Sequence, residues 1–183
     1  VPGPNQSPHL AWSDFPSGTK SFALICHDRD VPSKADDVNQ ADRKVPYDLP
    51  RVDFYHWVLV DIPVSVTSLE EGADSESFVP KGKPLGPTKH GRRGKNSYGD
   101  WFGDDPALAG DYGGWDGPWP PFNDERLHHY VFTIYALDVP ALDVPARRSH
   151  VAGDSSRTDA STARVRASSS ASTVGPVSSS SPR

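Results

Sequence analysis

Four side chains that can exchange protons or bind small ions lie at the ends of apolar stretches of the sequence. Asp28 and Asp30 end one stretch, whereas His56 and His128 lie at the start of two later ones. Imidazoles donate hydrogen bonds to phosphates and carboxylates, and neighbouring carboxylates favour the charged form of an imidazole. If these residues converge, we expect the two aspartates to orient both histidines and to raise their pKa towards or above neutrality.

A metal site would use the same side chains, because two histidines and a carboxylate are a common ligand set. Asp28, His56 and His128 would then serve a metal-dependent hydrolase or lyase. The sequence contains no His-x-His or His-Glu-x-x-His spacing, and the three ligands would come from separate segments. We therefore predict a non-enzymatic binding protein without a cofactor. A metal-dependent enzyme, and histidines that merely cap a sheet by hydrogen bonds, are the alternatives.

Three stretches rich in β-branched and aromatic residues must position these side chains. They are predicted strands at residues 21–30, 54–62 and 128–138, and prolines follow the last two. If the first strand pairs antiparallel with the other two, its acidic end lies at the same edge of the sheet as their histidines. We therefore expect the acidic and histidine side chains to converge on one rim.

The composition favours an all-β or mostly β domain with long loops. The 183 residues include 19 prolines and 15 glycines, which disfavour long helices, and five tryptophans, six tyrosines and seven phenylalanines, which can fill a core. Residues 31–53 are polar and rich in charges, so they are predicted to form a long surface loop. Cys26, the single cysteine, lies in an apolar strand and is expected to be a buried thiol.

Two glycine-containing segments lie between the second and third strands. Residues 81–95 are basic, and we interpret them as a solvated loop that downstream aspartates balance, so no nucleic-acid partner is predicted. Residues 112–121 combine aromatic side chains with glycine and proline. This second segment could form the wall of a pocket at the histidine rim, or it could simply cover the end of the core with tryptophans.

The chain is predicted to contain one domain, residues 1–146, followed by a disordered tail, residues 147–183. The tail has six arginines, two aspartates and no aromatic residue, so it cannot bury enough apolar surface to offset its ordering entropy. The sequence contains no apolar run of about 18 residues, so no transmembrane helix is predicted. The chain starts with Val1 and not with Met, and its first residues resemble the middle of a loop, so we expect further residues upstream. We expect a cytoplasmic location, with a periplasmic one as the alternative.

Five short motifs resemble those of the phosphatidylethanolamine-binding protein family and, more closely, those of its bacterial Raf kinase inhibitor-like branch. In chain order they are SPHLAW at 7–12, DRDVPS at 28–33, HW at 56–57, GPWPP at 117–121 and HHYVF at 128–132. Arg29 stands where the family's Asp-Pro-Asp-x-Pro motif has its internal proline. His129 replaces the arginine of the family's His-Arg-Tyr motif.

The resemblance implies a Greek-key antiparallel β-sandwich with a small anion pocket for phosphorylated or carboxylated head groups, and a role in modulating a kinase or a protease. The residues that match the family's pocket are Asp28, Asp30, Pro32, His56, Gly117, Pro118, His128 and Tyr130. Similar proteins also have an N-terminal strand and a closing helix and strand that this sequence lacks. We therefore expect the tail to be a frameshifted or mispredicted end, and uncovered apolar surface makes a homodimer an alternative to a monomer.

Overall fold

Three long β-strands, several short ones and long connecting loops make up the fold, which a computed structural model describes for residues 3–144 and, as backbone only, for residues 163–165. In chain order the strands are β1 (Leu10–Ala11), β2 (Ser21–Pro32), β3 (Arg51–Pro63), β4 (Ser68–Leu69), β5 (Gly86–Pro87), β6 (Arg92–Arg93), β7 (Tyr130–Leu137) and β8 (Ala163–Val165). The described residues contain one helix, the four-residue α1 (Tyr98–Trp101). The predicted mostly β class is confirmed.

Strand β2 lies at the centre of the larger of two antiparallel sheets. The larger sheet has the order β5-β6-β3-β2-β7-β8, and β1 pairs with β4 in a second, two-stranded sheet. β2 runs antiparallel to both of its neighbours, and Asp28 stands opposite Phe54 on β3 and Tyr130 on β7. The acidic end of β2 therefore meets the histidine ends of β3 and β7, as the sequence predicts.

The core lies between the two sheets and is built largely from aromatic and branched side chains. Leu10 and Trp12 alternate along the first segment, and both are buried in one cluster with Phe22 of β2 and Trp57 of β3. Cys26 is fully buried in the same cluster, as predicted, and burial raises the pKa of its thiol. Packing on this side of the larger sheet fixes which side chains of β2, β3 and β7 face the core.

The basic segment 81–95 is bound to carboxylates. Four of its side chains form ion pairs, namely Lys83 with Asp116, Arg92 with Asp61, Arg93 with Asp74 and Lys95 with Asp100. Two of these partners are downstream aspartates, as expected. Lys83 is buried, however, and not solvated as predicted, because it reaches a carboxylate in the interior.

The structure differs from the sequence predictions at the start of β7 and along one of its edges. The strand begins at Tyr130, two residues later than predicted, because carboxylates hold the side chains of His128 and His129. At its other edge it pairs with β8, so residues 163–165 form a strand where disorder is predicted. Pairing satisfies an edge that would otherwise present unpaired backbone groups. The rest of the tail prediction lies outside the described residues.

Among the described residues, no helix has the length and apolar character needed to cross a bilayer.

Candidate functional site

A cavity of about 250 Å³ lies at the rim where the acidic end of β2 meets β3 and β7. Five of the eight predicted pocket residues line it, namely Asp28, Pro32, His56, His128 and Tyr130. The antiparallel register brings them together, because it places the end of β2 beside the beginnings of the two neighbouring strands.

The other three predicted residues lie beside the cavity and not in its wall. The carboxylate of Asp30 lies 2.8 Å from Nδ1 of His129, on the outer side of the strand. Gly117 has a φ of +114°, and its backbone packs so closely on His56 that an added Cβ would lie 2.6 Å from the Nδ1 atom of that ring. Pro118 is exposed. Gly117 therefore contacts the site through its backbone, whereas Pro118 lies outside the cavity wall.

His128 is held between two carboxylates. Its Nδ1 lies 2.6 Å from Oδ2 of Asp28, its Nε2 lies 3.1 Å from Oδ2 of Asp124, and only 3% of its side chain is exposed. Burial alone would lower the pKa of His128, but hydrogen bonds to the two carboxylates outweigh burial and raise it. The ring is thus favoured as an imidazolium that donates from both nitrogens, and the predicted rise in pKa agrees with its structure.

Arg51 completes this buried ionic cluster. Its guanidinium donates to both carboxylate oxygens of Asp124, at 2.5 and 3.0 Å, and only 4% of the arginine side chain is exposed. The same guanidinium donates to the backbone carbonyls of Pro46 and Leu49. The cluster therefore ties the end of the long 33–50 loop to the segment that precedes β7.

His56 has a different protonation state from His128. Its Nδ1 lies 2.8 Å from the backbone carbonyl oxygen of Asp116, so Nδ1 carries a proton and donates it to that carbonyl. Burial lowers the pKa of His56 from 6.5 to about 4, although the Asp116 carbonyl and nearby carboxylates act in the opposite direction. The predicted rise in pKa is therefore wrong for His56, because desolvation outweighs the neighbouring charges. The Nε2 atom is buried and has no hydrogen-bond partner.

A buried polar cluster holds the backbone that contacts His56. The carboxylate of Asp116 accepts hydrogen bonds from Nδ2 of Asn5 and of Asn96, both at 2.8 Å, and from Nζ of Lys83 at 2.7 Å. Oδ1 of Asn5 also accepts the backbone N–H of Gly117 at 2.7 Å. We call Asn5, Lys83, Asn96 and Asp116 the Asp116 cluster. Its side chains lie outside the cavity wall, so the cluster acts by placing the Asp116 carbonyl against the ring.

Aromatic side chains form most of the remaining cavity wall: Phe54, Tyr98, Trp101, Phe102 and Trp119. The Tyr98 ring lies edge-on to Phe54, with ring centroids 4.9 Å apart, and edge-on to Trp119 at 5.3 Å. In the 112–121 segment, Trp119 lines the cavity while Trp115 packs in the core. Both interpretations of that segment therefore apply, each to a different tryptophan.

Few polar groups in this wall are available to a ligand. Within residues 3–144, the hydroxyls of Tyr98 and Tyr130 and the indole Nε1 of Trp119 have no hydrogen-bond partner. Burial raises the pKa of both tyrosines, so their hydroxyls keep their protons at neutral pH. Nε2 of His56 and the side-chain amide of Asn39 are further polar groups of the wall, beside the paired Asp28 and His128.

The donor geometry does not fit the alternative of a metal centre. Within the described part of the chain, no group of three or more His, Cys, Asp or Glu side chains is arranged to hold a metal ion. The alternative ligand set is Asp28, His56 and His128. Both nitrogens of His128 already contact carboxylates, so Nε2 of His56 is the one imidazole nitrogen of this set without a partner. A zinc site needs at least three converging ligands.

Comparison with known proteins identifies the family. The model of the phosphatidylethanolamine-binding protein (PEBP) family matches residues 1–164. The chain belongs to the PEBP family. It is 32% identical over 143 residues to UPF0098 protein YbhB of Escherichia coli (strain K12), covering 78% of this chain and 66% of that relative. It is 30% identical over 149 residues to UPF0098 protein YbcL of the same organism, covering 80% of this chain and 61% of YbcL.

A solved structure of the PEBP family confirms the fold. The crystal structure of E. coli YbcL, described there as "a new member of the mammalian PEBP family", superposes with a TM-score of 0.52 at 29% identity. The match covers 80% of this chain and 67% of that one. The chain thus spans about two thirds or less of the length of the curated PEBP relatives YbhB and YbcL.

Proposed function

We propose that this chain is a non-catalytic binding protein whose cavity accepts a small phosphorylated or carboxylated head group, such as phosphoethanolamine. One observation carries the proposal: the buried Nε2 atom of His56 has no partner in a cavity whose charged groups are already paired. A buried polar atom without a hydrogen bond costs free energy, and buried polar groups in proteins are usually satisfied. The ring proton is on Nδ1, so Nε2 is an acceptor, and a ligand oxygen that shares a proton with Nε2 would satisfy this one.

The charges around the cavity favour a ligand with low net charge. Asp28 is paired with His128, and Asp124 is paired with Arg51, so two negative and two positive groups offset one another. The site therefore offers hydrogen-bond donors without an excess of positive charge. A monoanion or a zwitterion suits such a site better than a polyanion does.

The apolar wall suits the remainder of a zwitterionic ligand. Trp101 and Trp119 present indole rings to the cavity. An ammonium group placed over an indole face gains roughly 0.5 to 2 kcal/mol, depending on its desolvation. Phosphoethanolamine could therefore place its phosphate against His56 and Tyr130 while its ammonium lies against the aromatic side.

A binding role is also supported by the absence of an activated nucleophile in the cavity. The wall formed by described residues contains no serine, threonine, cysteine or lysine. The carboxylate of Asp28 accepts hydrogen bonds from His128 and from the backbone N–H of Asp30, which lowers its nucleophilicity. The cavity wall therefore lacks the nucleophile with an adjacent base that covalent catalysis requires.

The substitution Tyr130→Phe tests the proposal. Losing a hydrogen bond to a charged ligand costs about 1.5 kcal/mol or more, so the affinity for phosphoethanolamine should fall about tenfold. Tyr47→Phe is the matched control, because Tyr47 is 61% exposed and lies outside the cavity wall. Isothermal titration calorimetry measures both. Equal affinity for the wild type and both variants would contradict the proposed binding mode.

A kinase or protease partner is a further proposal that rests on the family resemblance, and a homodimer and a cytoplasmic location are two more. The geometry of the cavity is independent of them, and each would require its own binding or localisation experiment.

A further inference from the structure

The free cavity presents a lone pair, and not a proton, at the atom where an anion would bind. Nδ1 of His56 donates to the Asp116 carbonyl, so the neutral ring has an unprotonated Nε2. A lone pair repels an anionic oxygen, whereas an N–H group would attract it. Accepting an anion at this atom therefore requires a change in the protonation of the ring or of the ligand.

The charged groups that face His56 cannot supply this proton. Asp28 faces the ring from β2, and it is paired with His128, which precedes β7. Asp116 faces the ring from the segment beneath it, and Lys83 is its partner. The protons of His128 and Lys83 are thus already donated to the carboxylates of Asp28 and Asp116.

The remaining neighbours of the ring are uncharged. Tyr98 of α1 and Tyr130 of β7 contact it edge-on, with ring centroids 5.6 and 4.9 Å away, and Phe54 and Trp115 are tilted against it at 5.0 and 6.1 Å. An anion that entered alone would thus leave one unbalanced charge in a desolvated site, which is costly.

We propose that an anion enters this cavity together with one proton, which is held between Nε2 of His56 and an oxygen of the ligand. This inference rests on the anion pocket proposed above. Hydronium or a buffer acid supplies the proton: its bond to that proton breaks and leaves water or the conjugate base, while one N–H bond forms at Nε2, and no bond of the anion changes. The bound ring then donates through Nδ1 to the Asp116 carbonyl and through Nε2 to the ligand.

The Asp116 cluster is the positioning device for this step. It keeps the Asp116 carbonyl 2.8 Å from Nδ1, so the ring already has the orientation in which Nε2 faces the ligand. Since the carbonyl accepts the Nδ1 proton in both states, only Nε2 changes its protonation. The apparent affinity should therefore follow the proton concentration above the pKa of the free ring, which is about 4.

Methyl sulfate is a suitable probe, because it is a monoanion that does not titrate near neutral pH. We expect its affinity to fall about tenfold per pH unit, hence about 100-fold between about pH 5.5 and about pH 7.5. Calorimetry in two buffers with different ionisation enthalpies should show the uptake of about one proton per bound anion.

Two variants assign the proton to its residue. His56→Gln retains an N–H donor near the position of Nε2 but cannot titrate, so its affinity for methyl sulfate should not depend on pH. His129→Gln alters an exposed histidine, with 73% of its side chain accessible, and should keep the wild-type slope. If His56→Gln does not fold, nitrogen-15 NMR of the wild-type imidazoles gives the same answer, because Nε2 of His56 should change from unprotonated to protonated on addition of methyl sulfate.

Two outcomes separate this inference from the function on which it rests. Methyl sulfate binding in the cavity without proton uptake and without a pH slope would overturn the proton-coupled step and leave the anion pocket intact. A failure of methyl sulfate and phosphoethanolamine to bind at any pH would overturn the anion pocket itself.

Discussion

The substitution Gly117→Ala tests whether the backbone beneath His56 sets the position of the ring. At a φ of +114°, an alanine costs roughly 1 to 2 kcal/mol of backbone strain. Its Cβ would lie 2.6 Å from Nδ1 of His56, and reaching the ordinary contact distance of 3.4 Å requires a shift of 3.4 − 2.6, or about 0.8 Å. A shift of this size breaks the hydrogen bond to the Asp116 carbonyl, and a buried unsatisfied donor costs about 1 to 3 kcal/mol.

We therefore expect Gly117→Ala to lower the free energy of unfolding by roughly 2 to 5 kcal/mol, which urea denaturation measures. The affinity for phosphoethanolamine should fall at least about tenfold, because the displaced ring no longer aims Nε2 at the ligand. Gly86→Ala is the matched control, since Gly86 has a φ of +99° but no neighbour within 4 Å of an added Cβ. It should cost only the strain, roughly 1 to 2 kcal/mol, and leave the affinity unchanged.

Gly117→Ala and Gly86→Ala share the backbone strain and differ in the contact with His56. If both substitutions destabilise the protein equally and Gly117→Ala binds phosphoethanolamine as the wild type does, then contact with the Gly117 backbone does not hold the ring.

Two further predictions concern stability. His56 is neutral in the folded state, where its pKa is about 4, whereas in the unfolded state it is protonated below about pH 6.5. The free energy of unfolding of the wild type should therefore fall by roughly 3 kcal/mol as the pH falls from about 6.5 to about 4. His56→Gln should lack this fall, which urea titrations at several pH values measure. His128 acts in the opposite direction, since its raised pKa contributes stability at low pH that is lost as the pH rises through the folded-state pKa. Arg51→Met leaves the buried carboxylate of Asp124 without its arginine and should cost about 3 to 5 kcal/mol. Arg43→Met removes an exposed pair with Asp37 and should cost less than about 1 kcal/mol; equal losses for the two arginine variants would contradict the assigned importance of the buried cluster.

Local patterns in the sequence predict the frame of the site. The β-branched and aromatic stretches specify three strands, and the antiparallel pairing of the first with the other two brings Asp28, His56 and His128 to one rim. These features depend on neighbouring residues along each strand and on a simple pairing rule, so they can be read without knowledge of tertiary contacts.

Long-range contacts decide the parts that the sequence does not reveal. Arg51 and Asp124 are 73 residues apart, and their ion pair depends on how the start of β3 meets the loop that precedes β7. The protonation of His56 depends on burial, which the sequence pattern does not quantify, so reasoning from nearby charges predicted the wrong direction. Tyr98 lies in a single helical turn within a loop and carried no signal of a pocket residue.

Asp30 shows how a motif residue can leave the cavity. Successive side chains of a strand alternate between faces, but register shifts interrupt the pairing of β2 with β3 between Asp28 and Val31. Asp28 turns into the cavity, and Asp30 instead contacts His129 on the outside. A motif alone could not predict this division, because it follows from the irregular end of the strand.

A crystal of the protein soaked with phosphoethanolamine shows where the ligand binds. We expect a phosphate oxygen within about 3 Å of Nε2 of His56, at hydrogen-bonding distance, with the Tyr130 hydroxyl as a second donor. Phosphoethanolamine bound only at the basic segment around Arg92, with the His56 cavity free of the ligand, would contradict this expectation.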